Sequence, residues 1–155
     1  MSQDNLNCRL QGLLTDYRRT PQFYELVHQV LVDGADPNIR DVYGYLPLIF
    51  GELDYGGSDL QMIKLLLQFG ANPNVQITPD INVSAPGDTP LHWVVNDLIE
   101  PPAGDDLAVQ TYTRMFELFL SFGADPQIPN SYGLTPLDIA HESGVLLPRT
   151  LPQNQ

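Results

Sequence analysis

The stretch GANPNVQITPDINVSAPGDTPLH, residues 70–92, has two shorter counterparts, GADPNIRDVYGYLPLI at 34–49 and GADPQIPNSYGLTPLD at 123–138. Each begins Gly-Ala-Asp/Asn-Pro, passes through a turn that ends near a second glycine, and reaches Pro-Leu ahead of an apolar segment. The residues ahead of each first glycine also match: Leu26, Val27, Val30, Leu31; Met62, Ile63, Leu66, Leu67; Met115, Phe116, Phe119, Leu120. That i, i+1, i+4, i+5 spacing is the apolar stripe of an amphipathic helix. Gly34, Gly70 and Gly123 then stand where a left-handed carboxy-terminal cap needs glycine. Pro47, Pro90 and Pro136 suit the first position of the next helix, with Thr89 and Thr135 as amino-terminal caps in two copies. The repeating unit is helix, turn, helix.

These phrases resemble the ankyrin repeat, a unit of about 33 residues that carries TPLH and GAD-x-N signatures. GDTPLH at 87–92, GANPN at 70–74 and GADPN at 34–38 carry the likeness, and the copies together cover nearly the whole chain. The first copy departs from TPLH at Leu46 and Ile49, the third at Asp138, and Val94-Val95 beside Trp93 replace a small Ala-Ala pair. The resemblance implies an all-α fold: an ankyrin-repeat solenoid of about three to four helix-turn-helix units with short β-hairpin-like turns.

Spacing locates the irregularities. First glycine to proline is 13 residues at 34 to 47 and 123 to 136, but 20 at 70 to 90. The middle turn therefore predicts an extended finger over 75–86. Its VQITPDINV alternates β-branched and polar residues around Pro-Asp. Proline to the next first glycine is 23 residues at 47 to 70 and 33 at 90 to 123, against about 20 in the family. A long inter-helix insertion is expected at 98–110. The chain then reads as a single domain over 1–148: an amino-terminal cap repeat (1–40), a second repeat (41–74), a third with insertions (75–127) and a terminal half repeat (128–148). Residues 149–155 are expected to be a flexible tail. A first helix over 4–19, with Leu6, Leu10, Leu13 and Leu14 inward, supplies the cap that short stacks need.

At 155 residues the chain suits one domain, and its apolar fraction of 43% is ordinary for a globular protein. Nineteen acids against seven bases give −12, which repels nucleic acid and anionic lipid. Neither is expected as a partner; the acidity either serves solubility alone or meets a basic partner surface. Cys8, the single cysteine, allows no internal disulfide and reads as a packed helix residue. No secretion signal and no apolar run near 20 residues is seen, so a cytoplasmic monomer is expected.

No nucleophile elbow, phosphate-binding loop or zinc motif occurs, and the three histidines fall at three different repeat positions. His28 reads as solvent-facing, and His141 as filling a small-residue site on the last helix. His92, with Asp88 and Asp97 near in sequence, is the one catalytic candidate. An unlikely alternative is therefore a hydrolase or metal enzyme around it. In the resemblance, however, the TPLH histidine is structural, as are Thr89, Pro90, Gly34, Gly70 and Gly123. The reading is a non-enzyme without cofactor or metal.

What the resemblance implies instead is protein binding through a concave face of turn tips and inner helices. Carried over by position, the partner-touching residues are Val42, Tyr43, Tyr45, Leu53 and Asp54 in the first copy. The second gives Asp88, Asn96 and Asp97, and the third Ser131, Tyr132, Leu134 and Glu142. Ile77, Pro79, Asp80 and Ile81 of the finger are added, and tyrosine at a turn tip supplies contact area with a hydroxyl. The expected function is an adaptor or inhibitor that occupies a partner protein. An immunity-type protein that covers a toxin or enzyme active site is the specific variant.

Overall fold

Seven α-helices form the regular structure of the computed structural model, which describes residues 2–15, 20–41, 44, 46–50, 59–77, 86–101 and 105–148. They are α1 (Gln3–Leu14), α2 (Pro21–Val32), α3 (Pro47–Phe50), α4 (Leu60–Gln68), α5 (Pro90–Ile99), α6 (Asp106–Ser121) and α7 (Pro136–Glu142). No strand occurs among the described residues, so the chain is all-α there. Two compact units result, Met1–Asn72 and Pro73–Gln155. Each is taken by itself below.

In the Met1–Asn72 unit, α1 packs against α2 and α3, and α3 packs against α4. Leu6, Leu10 and Leu14 of α1 are buried at four-residue spacing, one residue per turn on one face. The Thr20 hydroxyl accepts from the Phe23 N–H at 3.2 Å, and Pro21 follows at the first helical position of α2. The Asp59 carboxylate caps α4 by accepting from the Met62 N–H at 2.9 Å. The expected stripe is buried in α4 at all four positions, Met62, Ile63, Leu66 and Leu67. In α2 it shifts: Phe23 joins Val27, Val30 and Leu31 inside, while Leu26 is 44% exposed. Phe23 lies one turn before Val27 and fills the place at the centre of the face, which leaves Leu26 at its edge. Cys8 is exposed, not packed, because the buried leucines lie on the other side of α1.

The Pro73–Gln155 unit packs α5 against both α6 and α7. Met115, Phe116 and Phe119 of α6 are fully buried, with Leu120 at the margin. Among its described residues, the insertion expected at 98–110 is largely helix. Residues 106–110 begin α6, whose cap Asp105 accepts from the Leu107 and Ala108 N–H groups at 3.1 and 3.0 Å. The extra residues therefore lengthen the helix to 16 residues, against 12 in α2 and 9 in α4.

The three Gly-Ala phrases end α2, α4 and α6 identically. Gly34, Gly70 and Gly123 take φ of +104°, +88° and +85°, values a side chain would strain. The following Ala35, Ala71 and Ala124 donate their N–H groups to Val30, Leu66 and Phe119 carbonyls, each at 3.0 Å, and are themselves buried. That is the six-to-one bond of a Schellman cap.

One residue type then links successive phrases. The Asn38 side chain donates to the Gly70 carbonyl at 3.0 Å and accepts from the Asn72 N–H at 2.8 Å. In the other unit Asn74 does the same to the Gly123 carbonyl at 2.9 Å and the Asp125 N–H at 2.7 Å. At the start of the chain the task is divided: Gln3 donates to the Gly34 carbonyl and Asn7 accepts from the Asp36 N–H. A repeated sequence thus yields a repeated bridge. Gln127 holds the matching place in the third phrase, and its side chain makes no such bridge.

Replacing Asn74 by alanine removes two bridging bonds at a solvent-accessible turn and should lower stability by about 1–2 kcal/mol. Gln127→Ala should change it by less than about 0.5 kcal/mol. Urea unfolding of both variants checks the pair.

Candidate binding surface

The described part of the middle turn closes on the frame of α5. Ile77 donates its N–H to the Asp88 carbonyl at 2.9 Å and accepts from the Gly87 N–H at 3.0 Å. Gln76 donates through its side chain to the Gly87 and Pro129 carbonyls, both at 3.0 Å, and so ties this turn to the next. Ser131 adds an N–H bond to the Pro86 carbonyl at 2.9 Å. The approach is close: a Cβ on Gly87 would lie 3.0 Å from the Ser131 nitrogen, and φ there is +80°.

His92 stands at the centre of this frame with no solvent exposure. The Thr89 N–H donates to Nδ1 at 3.0 Å, and the Thr89 hydroxyl lies 2.9 Å from the same atom. On the other side Nε2 meets the Leu134 carbonyl at 3.0 Å. A backbone N–H only donates and a carbonyl only accepts, so Nδ1 is the bare nitrogen and Nε2 carries the hydrogen. Both ring nitrogens are occupied, and neither is open to take a proton from a substrate. Asp88, near in sequence, is equally committed: its buried carboxylate accepts from the Asn130 side chain at 2.9 Å. Asn130 in turn accepts at Oδ1 from the Tyr132 and Leu134 N–H groups at 3.0 and 3.1 Å. His92, Asp88 and Asn130 therefore form one polar strut between consecutive turns.

The expected partner residues divide accordingly. Val42, Tyr43, Tyr45, Leu53, Asp54, Pro79, Asp80 and Ile81 lie outside the described residues, as do residues 149–155. Ile77 and Asp88 are corrected to the interior, 3% and 1% exposed, because both help close the turn on its neighbour. Leu134 is half-buried and its backbone serves His92 and Asn130. Asn96, Ser131, Tyr132 and Glu142 are exposed, Tyr132 at 72%, and Asp97 is half-buried. Asn96 and Glu142 each lie six residues after the proline that starts their helix, 90 to 96 and 136 to 142. His28 is exposed, as expected, with its ring edge-on to Phe69 at 5.3 Å. His141 is exposed rather than filling space.

Trp93 was not among the expected partner residues. It is partly exposed on α5, yet its Nε1 is buried without any hydrogen-bond partner. Such an orphaned donor costs about 1–3 kcal/mol. The orphan can be read only from structure, although placing Trp93 three residues after Pro90 puts it one turn before Asp97. The Met1–Asn72 unit holds a surface groove between α2 and α4, lined by Tyr24, Glu25, His28, Gln61, Lys64 and Gln68. Tyr24 donates its hydroxyl to the Asp59 carboxylate there at 2.9 Å. Among the described residues no group of three or more His, Cys, Asp or Glu could hold a metal, and no helix is long and apolar enough to cross a membrane.

No protein-family model matches the chain. Over 112 residues, 72% of this chain, it is 28% identical to a fowlpox virus (strain NVSL) protein named as an ankyrin repeat protein. The matched segment spans 15% of that relative's length. The likeness is distant. It agrees with the repeated phrases and their helices.

Two carboxyls have opposite leanings. Burial holds Asp97 above the ordinary 3.8, whereas the Thr135 hydroxyl and N–H hold Asp138 below it, with His141 adding a smaller pull. The Thr135 hydroxyl and N–H donate to the Asp138 carboxylate at 2.7 and 2.9 Å, and the Asp138 N–H donates back to the Thr135 hydroxyl at 3.1 Å, which closes a capping box on α7. Asp97 binds more protons folded than unfolded, so its contribution is full below pH 3.8 and falls as pH rises through its raised folded value. Asp138 contributes above 3.8 and loses that as pH falls through its lowered value. Urea titrations at pH 7 and pH 3 should therefore find Asp97→Asn more stable than wild type at pH 7 and Asp138→Asn less stable. Both differences should shrink at pH 3.

Proposed function

We propose that the chain is a protein-binding module of ankyrin-repeat type, a solenoid whose inner helices and turn tips contact a partner protein. The observation that carries the reading is the contrast at consecutive turns. On the frame side Asp88, Thr89, His92 and Asn130 are buried and bonded internally. Outside that frame stand Tyr132, Asn96 and Glu142, which no fold contact explains. Tyrosine is favoured at recognition surfaces because it adds area and a polar tip at small entropic cost. The distant likeness to a protein named for ankyrin repeats supports the same class.

The partner surface is basic or mixed, in keeping with 19 acids against 7 bases. The module works as an adaptor or inhibitor by occupying its partner. Of the finger over 75–86, Ile77 and Pro86 belong to the frame, and Pro79, Asp80 and Ile81 are proposed to meet the partner. A hydrolase or metal reading around His92 has little support, since both imidazole nitrogens are already bonded.

Affinity capture from cells that express the chain tests this. Tyr132→Ala and Glu142→Lys should each weaken retention of the specific partner about tenfold or more, with unfolding midpoints unchanged. Glu117→Lys, exposed on α6, should retain it fully. Equal retention by all three variants contradicts the surface assigned here.

A further inference from the structure

The helix α5 is two-sided. Leu91, His92, Val94 and Val95 are buried, while Trp93, Asn96, Asp97 and Glu100 follow one another at i, i+3, i+4 and i+7 along the opposite stripe. On that stripe the indole N–H bonds to nothing in the fold. The N–H of Trp93 is buried without an acceptor, whereas a smaller phenyl ring would leave no donor unsatisfied. What tryptophan offers over phenylalanine is the largest and most electron-rich π surface, the strongest seat for a cation.

The surroundings carry the complementary sign. Asp97 lies one helical turn from Trp93, where side chains four apart are neighbours. Among the described residues its carboxylate has no hydrogen-bonding or ionic partner, and it is half-buried. Glu100 follows, exposed, at the end of α5, and the last turn of that helix holds no basic residue. The helix dipole places its negative end there, which disfavours both acids and favours an incoming cation. Partial desolvation also raises what a bound cation gains from Asp97, and the same desolvation holds its carboxyl above the ordinary range.

We propose that Trp93 and Asp97 form a seat for an arginine side chain of the partner, stacked on the indole and paired with the carboxylate. The inference rests on the protein-binding reading and names the chemistry recognised at one point of that surface. Arginine fits better than lysine because its planar, weakly hydrated guanidinium stacks on an aromatic face and forks onto a carboxylate at once. Glu100 and the end of α5 add field without needing contact.

Trp93 is the chain's single tryptophan, so emission excited selectively beyond the tyrosine absorption band reports this site alone. The probe is acetyl-Gly-Arg-Gly-Arg-Gly-amide, titrated into the folded chain at low salt beside its lysine and glutamate counterparts. The arginine peptide should give a saturable change that weakens with salt; the lysine peptide should bind more weakly and the glutamate peptide not at all. Asp97→Asn should weaken the arginine peptide about tenfold, while Glu117→Gln leaves it unchanged. No saturable change, or equal titration of the two variants, overturns the seat. Capture of the natural partner separates the two readings. If retention depends on Tyr132 but is unaffected by Trp93→Phe and by Asp97→Asn, the module reading stands and the arginine seat falls.

Discussion

The imidazole of His92 joins two turns that are 42 residues apart, accepting from Thr89 at 3.0 Å and meeting the Leu134 carbonyl at 3.0 Å. In a buried site neither contact can be traded for water, so losing the ring would leave a donor and an acceptor unsatisfied. Asp88 and Asn130 brace the same junction with a buried amide–carboxylate bond. Beside it, Gly87 must lack a side chain because Ser131 approaches within 3.0 Å of where one would begin. Register between α5 and α7 follows from this junction, and with it the placing of their exposed stripes.

A second device keeps the helix ends in step. Each first-position glycine turns the chain left-handed, and amide side chains bond its carbonyl and the N–H two residues on: Asn38 at Gly70, Asn74 at Gly123, and Gln3 with Asn7 at Gly34. Apolar packing of Met62, Ile63, Leu66, Met115, Phe116 and Phe119 supplies the bulk attraction, which is non-directional. Direction comes from the amide bridges.

Much of the frame was legible because it repeats. Three copies of Gly-Ala and Pro-Leu marked the helix ends, and proline or glycine chemistry fixes those positions almost independently of packing. The Asn38 and Asn74 bridges were equally available, four residues after their glycines, and went unread because a surface asparagine in a turn has many ordinary uses. Where context decides, sequence spacing misled. Asp88 was placed outside by its position two residues before proline, yet Asn130 draws it into the junction. Residues 106–110 looked like insertion, but Asp105 offers a cap and the segment after it can continue a helix. The orphaned N–H of Trp93 is a property of its surroundings and has no signature in a single chain.

His92 is a buried strut with both ring nitrogens engaged, one by Thr89 and one by Leu134. Long-range proton–nitrogen correlation spectra of the three imidazoles at pH 7 test it most directly. His92 should show a single Nε2–H tautomer, with an Nε2 proton that exchanges slowly with water because Leu134 holds it. A His92 ring protonated at Nδ1, or averaging between tautomers with rapid proton exchange, would contradict it.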